Sequence, residues 1–349
     1  METITTIATA VPPYLMTCAE VKRAVQQVFQ FEPRRLAPVM ALFDHAQVAR
    51  RYSVFPMDEL IRERSLTQTA REYQEHAIAL GRRVAVDCLA QAALRPNEID
   101  LLITVSCTGY MIPSLDAYLI NDLGFRANVR RLPITELGCA AGAVALARAR
   151  EFVRAFPQSC VLVVAVELPS LTFQHDDPSQ ANLISCALFG DGAAAALVTG
   201  RAVPGAQILD TESYLFPDSL DAMGFDLKDN GLHIVLSKNV PDLVRSRIKR
   251  LVGQFLGRNG LTLNQLAACI LHPGGKKILS YLEQEFDLSH DAIRPSWDVL
   301  QDYGNLSSAA ILFVLREWLT KRCPASGTYG LMAGFGPGFS AELLLLRWI

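Results

Sequence analysis

The chain has 349 residues, 50% hydrophobic and 19% charged, with a formal net charge of −2. This excludes a disordered chain, gives no reason to expect nucleic acid or an anionic membrane, and contains no apolar run long enough for a membrane span. The eight cysteines are scattered without a C-x-x-C pair, and the first residues lack the basic and apolar regions of a secretion signal. The expectation is a reduced, cytoplasmic protein with neither disulfide framework nor metal site.

In chain order, residues 18–65 predict an irregular helical layer, interrupted by Pro33, Pro38 and Pro56, added to the main body. Val84, Cys88 and Ala92 recur at helical spacing and predict a helix over 75–94. It leads through Arg95-Pro-Asn-Glu-Ile-Asp100 into a buried strand, Leu101-Leu-Ile-Thr-Val-Ser106. The small residues around Gly138 and Cys139 open an alanine-rich helix, and strands follow over 161–166 and 193–198. The plan then repeats. Val244, Ile248, Leu251, Val252 and Phe255 predict a helix. Ala268-Cys-Ile-Leu271 predicts a strand ending at His272. Gly304-Asn305-Leu-Ser-Ser308 opens another helix, and strands follow over 330–333 and 341–346. Alternating helices and buried strands predict an α/β layered fold. The parallel construction predicts two similar halves, 1–205 and 206–349.

Three loops hold chemistry. In Glu136-Leu-Gly-Cys-Ala-Ala-Gly-Ala-Val-Ala-Leu146, Cys139 stands at a helix start, where unpaired N–H groups and the dipole favour thiolate. Small neighbours leave room for a substrate, although the same segment also suits a structural core cysteine. His272 sits where a strand ends and Pro-Gly-Gly forces a turn, a usual place for ligand contacts in α/β sheets. Asn305 precedes a helix, where it equally suits an N-cap. Together Cys, His and Asn form a coherent set for carbon–carbon bond formation on thioesters. The thiolate takes an acyl group, with the imidazole as its ion-pair partner. Neutral imidazole N–H and amide N–H then stabilise the enolate left by decarboxylation of a malonyl thioester.

Five segments carry a resemblance: Glu136-Leu-Gly-Cys-Ala-Ala-Gly142, Leu188-Phe-Gly-Asp-Gly-Ala193, His272-Pro-Gly-Gly275, Tyr303-Gly-Asn-Leu-Ser-Ser308 and Gly334-Phe-Gly-Pro-Gly338. In this order the chain resembles, over nearly its whole length, the bacterial type III polyketide synthases of the chalcone/stilbene synthase superfamily. The resemblance implies a thiolase-like five-layer αβαβα fold of two duplicated halves, assembled as a homodimer. It implies Cys139, His272 and Asn305 as catalytic triad, an acyl-CoA starter and malonyl-CoA as substrates, and no cofactor. Phe189 matches a gatekeeper phenylalanine. Thr108, Thr172, Ser307, Gly336 and Pro337 match cavity positions. Arg50, Arg51, Lys238, Gly274 and Gly275 match the coenzyme A entrance.

Departures from the plant pattern lie in the cavity. Ile234 stands at the second gatekeeper position, Phe225 at a glycine position, and Cys107 and Pro169 at threonine positions. They predict a more apolar cavity and favour a fatty acyl starter closing to a pyrone or resorcinol. The competing readings are an initiation-type β-ketoacyl synthase, which performs a single condensation, a malonyl-primed phloroglucinol or naphthalene synthase, and a catalytically dead family member.

Overall fold

The computed structural model describes residues 2–237 and 240–349. Its frame is a nine-stranded mixed sheet. The first half contributes, from the outer edge inward, Arg130–Ile134, Leu101–Val105, Cys160–Glu167, Gly192–Thr199 and Thr3–Ala10. The second half contributes, from its own edge inward, Leu266–Leu271, Tyr329–Gly336, Ser340–Trp348 and Ala206–Leu215. The two sets follow one plan. Leu101–Val105 runs parallel to Cys160–Glu167 and to the edge strand Arg130–Ile134, Leu266–Leu271 runs parallel to Tyr329–Gly336, and the other neighbours within each half pair antiparallel. Arg130–Ile134 is an added edge strand of the first half. Within the sheet the two halves pair at Thr3–Gln207 and Ile4–Ala206.

Side-chain alternation divides the core into layers. Ile103 and Val105, Val161 and Val163, Ile270, Met332, and Leu344 and Leu346 face a shared inner cluster. Leu102, Val164 and Val166 face an outer cluster beneath the helix Leu66–Gln91. Leu271, Leu331, Ala333, Leu343 and Leu345 face the opposite outer cluster, beneath Val240–Arg258 and Lys276–Phe286. Two helices fill the inner layer, Ala141–Ala155 and Ala310–Glu317. Helix, sheet, helix, sheet, helix is the five-layer order implied by the resemblance. All of Ala310–Leu315 is buried, as expected of a helix that is apolar all round. The inner helices approach closely because Gly142 has no side chain: a Cβ there would lie 2.2 Å from the Ser308 carbonyl oxygen.

Two expectations shift. The helix foreseen over 75–94 begins at Leu66, behind a capping box of Ser65 and Gln68, and ends at Gln91. Its first turns are polar and carry little periodicity, which hides them in the sequence. Residues 18–65 hold the helices Cys18–Phe29, Pro33–Ala46 and Met57–Leu60, but also a strand, Arg50–Ser53, paired with Tyr14–Thr17. Among the described residues no helix is long and apolar enough to cross a membrane.

Candidate active site

Cys139, His272 and Asn305 come together at the wall of one cavity of about 650 Å³. Each is placed by a turn. Cys139 lies in the tight turn Gly138–Ala140, which runs directly into the inner helix Ala141–Ala155. Gly138 takes φ +50, and a Cβ there would meet the Pro337 ring at 2.7 Å. His272 follows the strand Leu266–Leu271, and its N–H still donates to the Ala333 carbonyl at 3.0 Å. Asn305 is held against the Phe189 segment: its N–H donates to Leu188 O at 2.8 Å, and Gly190 N–H donates to Asn305 O at 3.2 Å.

The side chains are ordered by few bonds. Ser307 N–H donates to Asn305 Oδ1 at 2.9 Å, which leaves the amide Nδ2 4.0 Å from Cys139 Sγ and 3.5 Å from Gly274 O. Cys139 Sγ donates to Ser307 Oγ at 3.6 Å. Both ring nitrogens of His272 are buried without a partner among the described residues. A buried polar group without a partner is costly unless a substrate supplies one. Burial pushes the Cys139 thiol up to about 11, opposed by the Ser307 and Asn305 bonds, and pulls the His272 imidazole down to about 3. Burial therefore works against the expected thiolate–imidazolium pair, since desolvation opposes the helix-start field.

The other cavity positions divide. Cys107, Thr108, Pro169, Thr172, Phe189, Phe225, Ile234, Ser307 and Pro337 border the same space. Phe225 and Ile234 are cross-strand partners in a separate hairpin, Met223–Lys228 with Gly231–Leu236. Gly336 does not border the cavity: it packs against the nucleophile turn, where a Cβ would meet Ala140 Cβ at 2.6 Å. Nor is the Cys107 wall simply apolar. Its sulfur lies 3.3 Å from Ser307 Oγ and 3.7 Å from both Glu167 oxygens. Glu167 was missed in the sequence. Fully buried, it accepts from Cys107 N at 3.1 Å, Thr108 Oγ1 at 2.9 Å and Ser308 Oγ.

The expected coenzyme A residues are partly displaced. Gly274 and Gly275 border the cavity. Arg51 is only 4% exposed, and its guanidinium donates to Cys186 O at 2.6 Å, Ala187 O at 2.7 Å and Phe189 O at 3.2 Å. A buried guanidinium committed to three carbonyls does not meet a phosphate. Arg50 is exposed but pairs with Asp302 at 3.2 Å and does not border the cavity. Lys238 lies outside the described residues. The basic groups that do border the cavity are Lys276, Lys277 and His45, and neither lysine has a carboxylate partner among the described residues. Lys276 and Lys277 follow directly on the Pro-Gly-Gly turn, the one sequence signal that pointed to them.

The chain matches the family model for chalcone and stilbene synthases, N-terminal domain, over residues 2–202. It matches the C-terminal domain model over residues 207–349. The 1,3,6,8-tetrahydroxynaphthalene synthase of Streptomyces coelicolor is 35% identical, over 100% of this chain and 92% of that protein. The phloroglucinol synthase of Pseudomonas fluorescens is 35% identical over 90% of each. The crystal structure of the Streptomyces coelicolor synthase, a bacterial type III polyketide synthase, aligns with a TM-score of 0.95 at 35% identity over 99% of both chains. The chain belongs to the chalcone and stilbene synthase family, and is a type III polyketide synthase of the acyltransferase type with a thiolase-like fold.

Proposed function

We propose that this synthase loads a fatty acyl group from coenzyme A onto Cys139, extends it with malonyl-CoA, and closes the chain to a pyrone or resorcinol-type product. The observation that carries the reading is the shared cavity: thiol, imidazole and amide border one space that Phe225, Ile234 and Pro169 also line. In the loading step the Cys139 proton passes to the neutral His272 ring as sulfur attacks the thioester carbonyl. The carbon–sulfur bond to coenzyme A breaks, and the leaving thiolate takes the proton. In extension the malonyl carbon–carboxylate bond breaks, carbon dioxide leaves, and the enolate oxygen accepts hydrogen bonds from His272 N–H and Asn305 Nδ2. The enolate carbon attacks the acyl carbonyl and expels the Cys139 sulfur. An imidazole held near 3 by burial keeps its N–H as a donor and does not surrender charge to the enolate. Lys276, Lys277 and His45 meet the coenzyme A phosphates. In this reading the chemistry draws on the two thioesters and these side chains, and coenzyme A thioesters as substrates suit a cytoplasmic enzyme.

A second reading has its own support. Phloroglucinol and tetrahydroxynaphthalene, the products named for the 35% identical relatives, carry no alkyl tail. A cavity filled by malonyl-derived units alone fits that chemistry. The two readings part on one experiment: product analysis with malonyl-CoA and a panel of acyl-CoA starters. Each apolar methylene buried is worth about 0.8 kcal/mol. kcat/KM should therefore rise from hexanoyl- to about dodecanoyl-CoA and exceed that for aromatic starters. A flat series with products built from malonyl units alone overturns the fatty acyl reading.

A homodimer belongs to the same proposal. Ile112 is 101% exposed and Tyr110, beside the cavity, 51% exposed, an apolar loop that a second copy would cover. Ile112→Asp should sediment as a monomer where the parent chain sediments as a dimer.

The roles of the site residues are separately testable. Asn305→Ala should slow malonyl-CoA decarboxylation by about 10²–10³-fold with little change in melting temperature. A wild-type rate would make Asn305 merely a turn former. A thiol held near 11 predicts that iodoacetamide alkylation of Cys139, read as the difference from Cys139→Ala, climbs about tenfold per pH unit between about pH 6 and pH 9. A plateau below about pH 8 would reveal a resting thiolate.

A further inference from the structure

The helix Gln180–Leu188 runs into Phe189 at the cavity wall. The last carbonyls of a helix lack partners within it, and here each has one. Ser185 O accepts from Phe189 N–H at 3.0 Å, and Leu188 O accepts from Asn305 N–H at 2.8 Å. Cys186 O and Ala187 O accept from the Arg51 guanidinium at 2.6 and 2.7 Å, and Phe189 O accepts from it at 3.2 Å. Arg51 comes from a distant part of the chain, the strand Arg50–Ser53, where it stands opposite the buried Met16. Burial pulls the guanidinium down to about 10, so it stays charged at neutral pH, and the helix dipole favours a cation at a C-terminus. Gly190 makes room for it: a Cβ there would lie 3.0 Å from Arg51 Cβ and 2.4 Å from Tyr303 O.

We propose that Arg51 is a positioning residue for catalysis: by holding the carbonyls of Cys186, Ala187 and Phe189 it fixes the segment on which Asn305 is docked. The inference rests on the enolate-binding role given to Asn305 above. The docking is direct. Phe189 and Asn305 form a parallel bridge, closed by Asn305 N–H on Leu188 O and by Gly190 N–H on Asn305 O at 3.2 Å. Gly304 permits the approach, with φ +72 and a place where a Cβ would meet Leu188 O at 2.5 Å. Asn305 thus takes its backbone position from the segment that Arg51 caps, and its amide Nδ2 lies 4.0 Å from Cys139 Sγ. Arg51 does not border the main cavity, so it acts through Asn305 and not on substrate. A misplacement of about 1 Å far from the chemistry can cost about 10²-fold in rate. Three carbonyls held by one planar fork suit arginine, while a lysine ammonium keeps the charge and loses the fork.

The test is steady-state decarboxylation of malonyl-CoA by the parent enzyme, Arg51→Met, Arg51→Lys, Asn305→Ala and the double variant Arg51→Lys/Asn305→Ala. Arg51→Met should lower kcat by about 10²-fold and Arg51→Lys by about tenfold, each with KM within about twofold of the parent. In the Asn305→Ala background Arg51→Lys should cost less than about twofold more, because residues that act through one another are not additive. Arg51→Lys keeps the question open to refutation if the methionine variant does not fold. A raised KM at unchanged kcat makes Arg51 a coenzyme A contact and overturns the proposal. A parent-like kcat in folded variants does the same. So does a tenfold loss that recurs in full without the Asn305 amide, which marks a structural role. A parent-like rate in Asn305→Ala itself overturns the enolate-binding reading, and the inference with it.

Discussion

Glu167 ends the strand Cys160–Glu167 wholly buried, with no salt-bridge partner among the described residues. A carboxylate in such a place needs hydrogen bonds to replace water. They arrive from both halves of the chain: Cys107 N–H and the Thr108 hydroxyl from the first, Ser308 N–H and hydroxyl from the second. Burial raises the carboxyl above its ordinary range, and these donors oppose that rise. The segment of Cys107 and the turn of Asn305 and Ser307 are thus tied to one pair of oxygens. Gly142 completes the arrangement by letting the nucleophile helix press against the Ser308 carbonyl. Ser307 N–H in turn holds the Asn305 amide oxygen, so the orientation of that amide rests on this set of contacts.

The same burial sets the chemistry. Burial pushes the thiol up and the imidazole down, which works against charge on either before a substrate is present. The unpartnered ring nitrogens of His272 are then a stored hydrogen-bonding capacity. A thioester carbonyl or an enolate oxygen satisfies it, and in a low-dielectric site that bond is stronger than in water.

How much of this was readable from sequence depends on how local each signal was. Cys139, His272 and Asn305 stood near glycines that mark chain reversals at strand and helix ends, and several strands between them carry apolar runs, over 161–166, 193–198 and 268–271. Those signals survive folding because backbone geometry alone demands them. Arg51 misled because two adjacent arginines look alike in a sequence. In the strand Arg50–Ser53, alternation turns Arg50 outward and Arg51 into the protein. Glu167 was hidden for the opposite reason: nothing local distinguishes a buried carboxylate from a solvated one, and its donors come from segments about 60 and 141 residues away. Lys276 and Lys277 read as an ordinary exposed helix start until the turn before them is placed at the cavity.

Catalysis and substrate choice are built from different parts of the fold. The triad hangs on the two inner helices and the main sheet, where a Cβ at Gly142 already clashes and where a small change disturbs everything attached. The cavity's far walls come from elements outside that sheet: the hairpin carrying Phe225 and Ile234, the turn Pro169–Thr172 and the helices of the N-terminal layer. Substitutions there resize the space without moving the nucleophile. A shared reaction with divergent products is what such a division permits. It is consistent with relatives of equal identity that are named for a six-carbon ring and for a naphthalene.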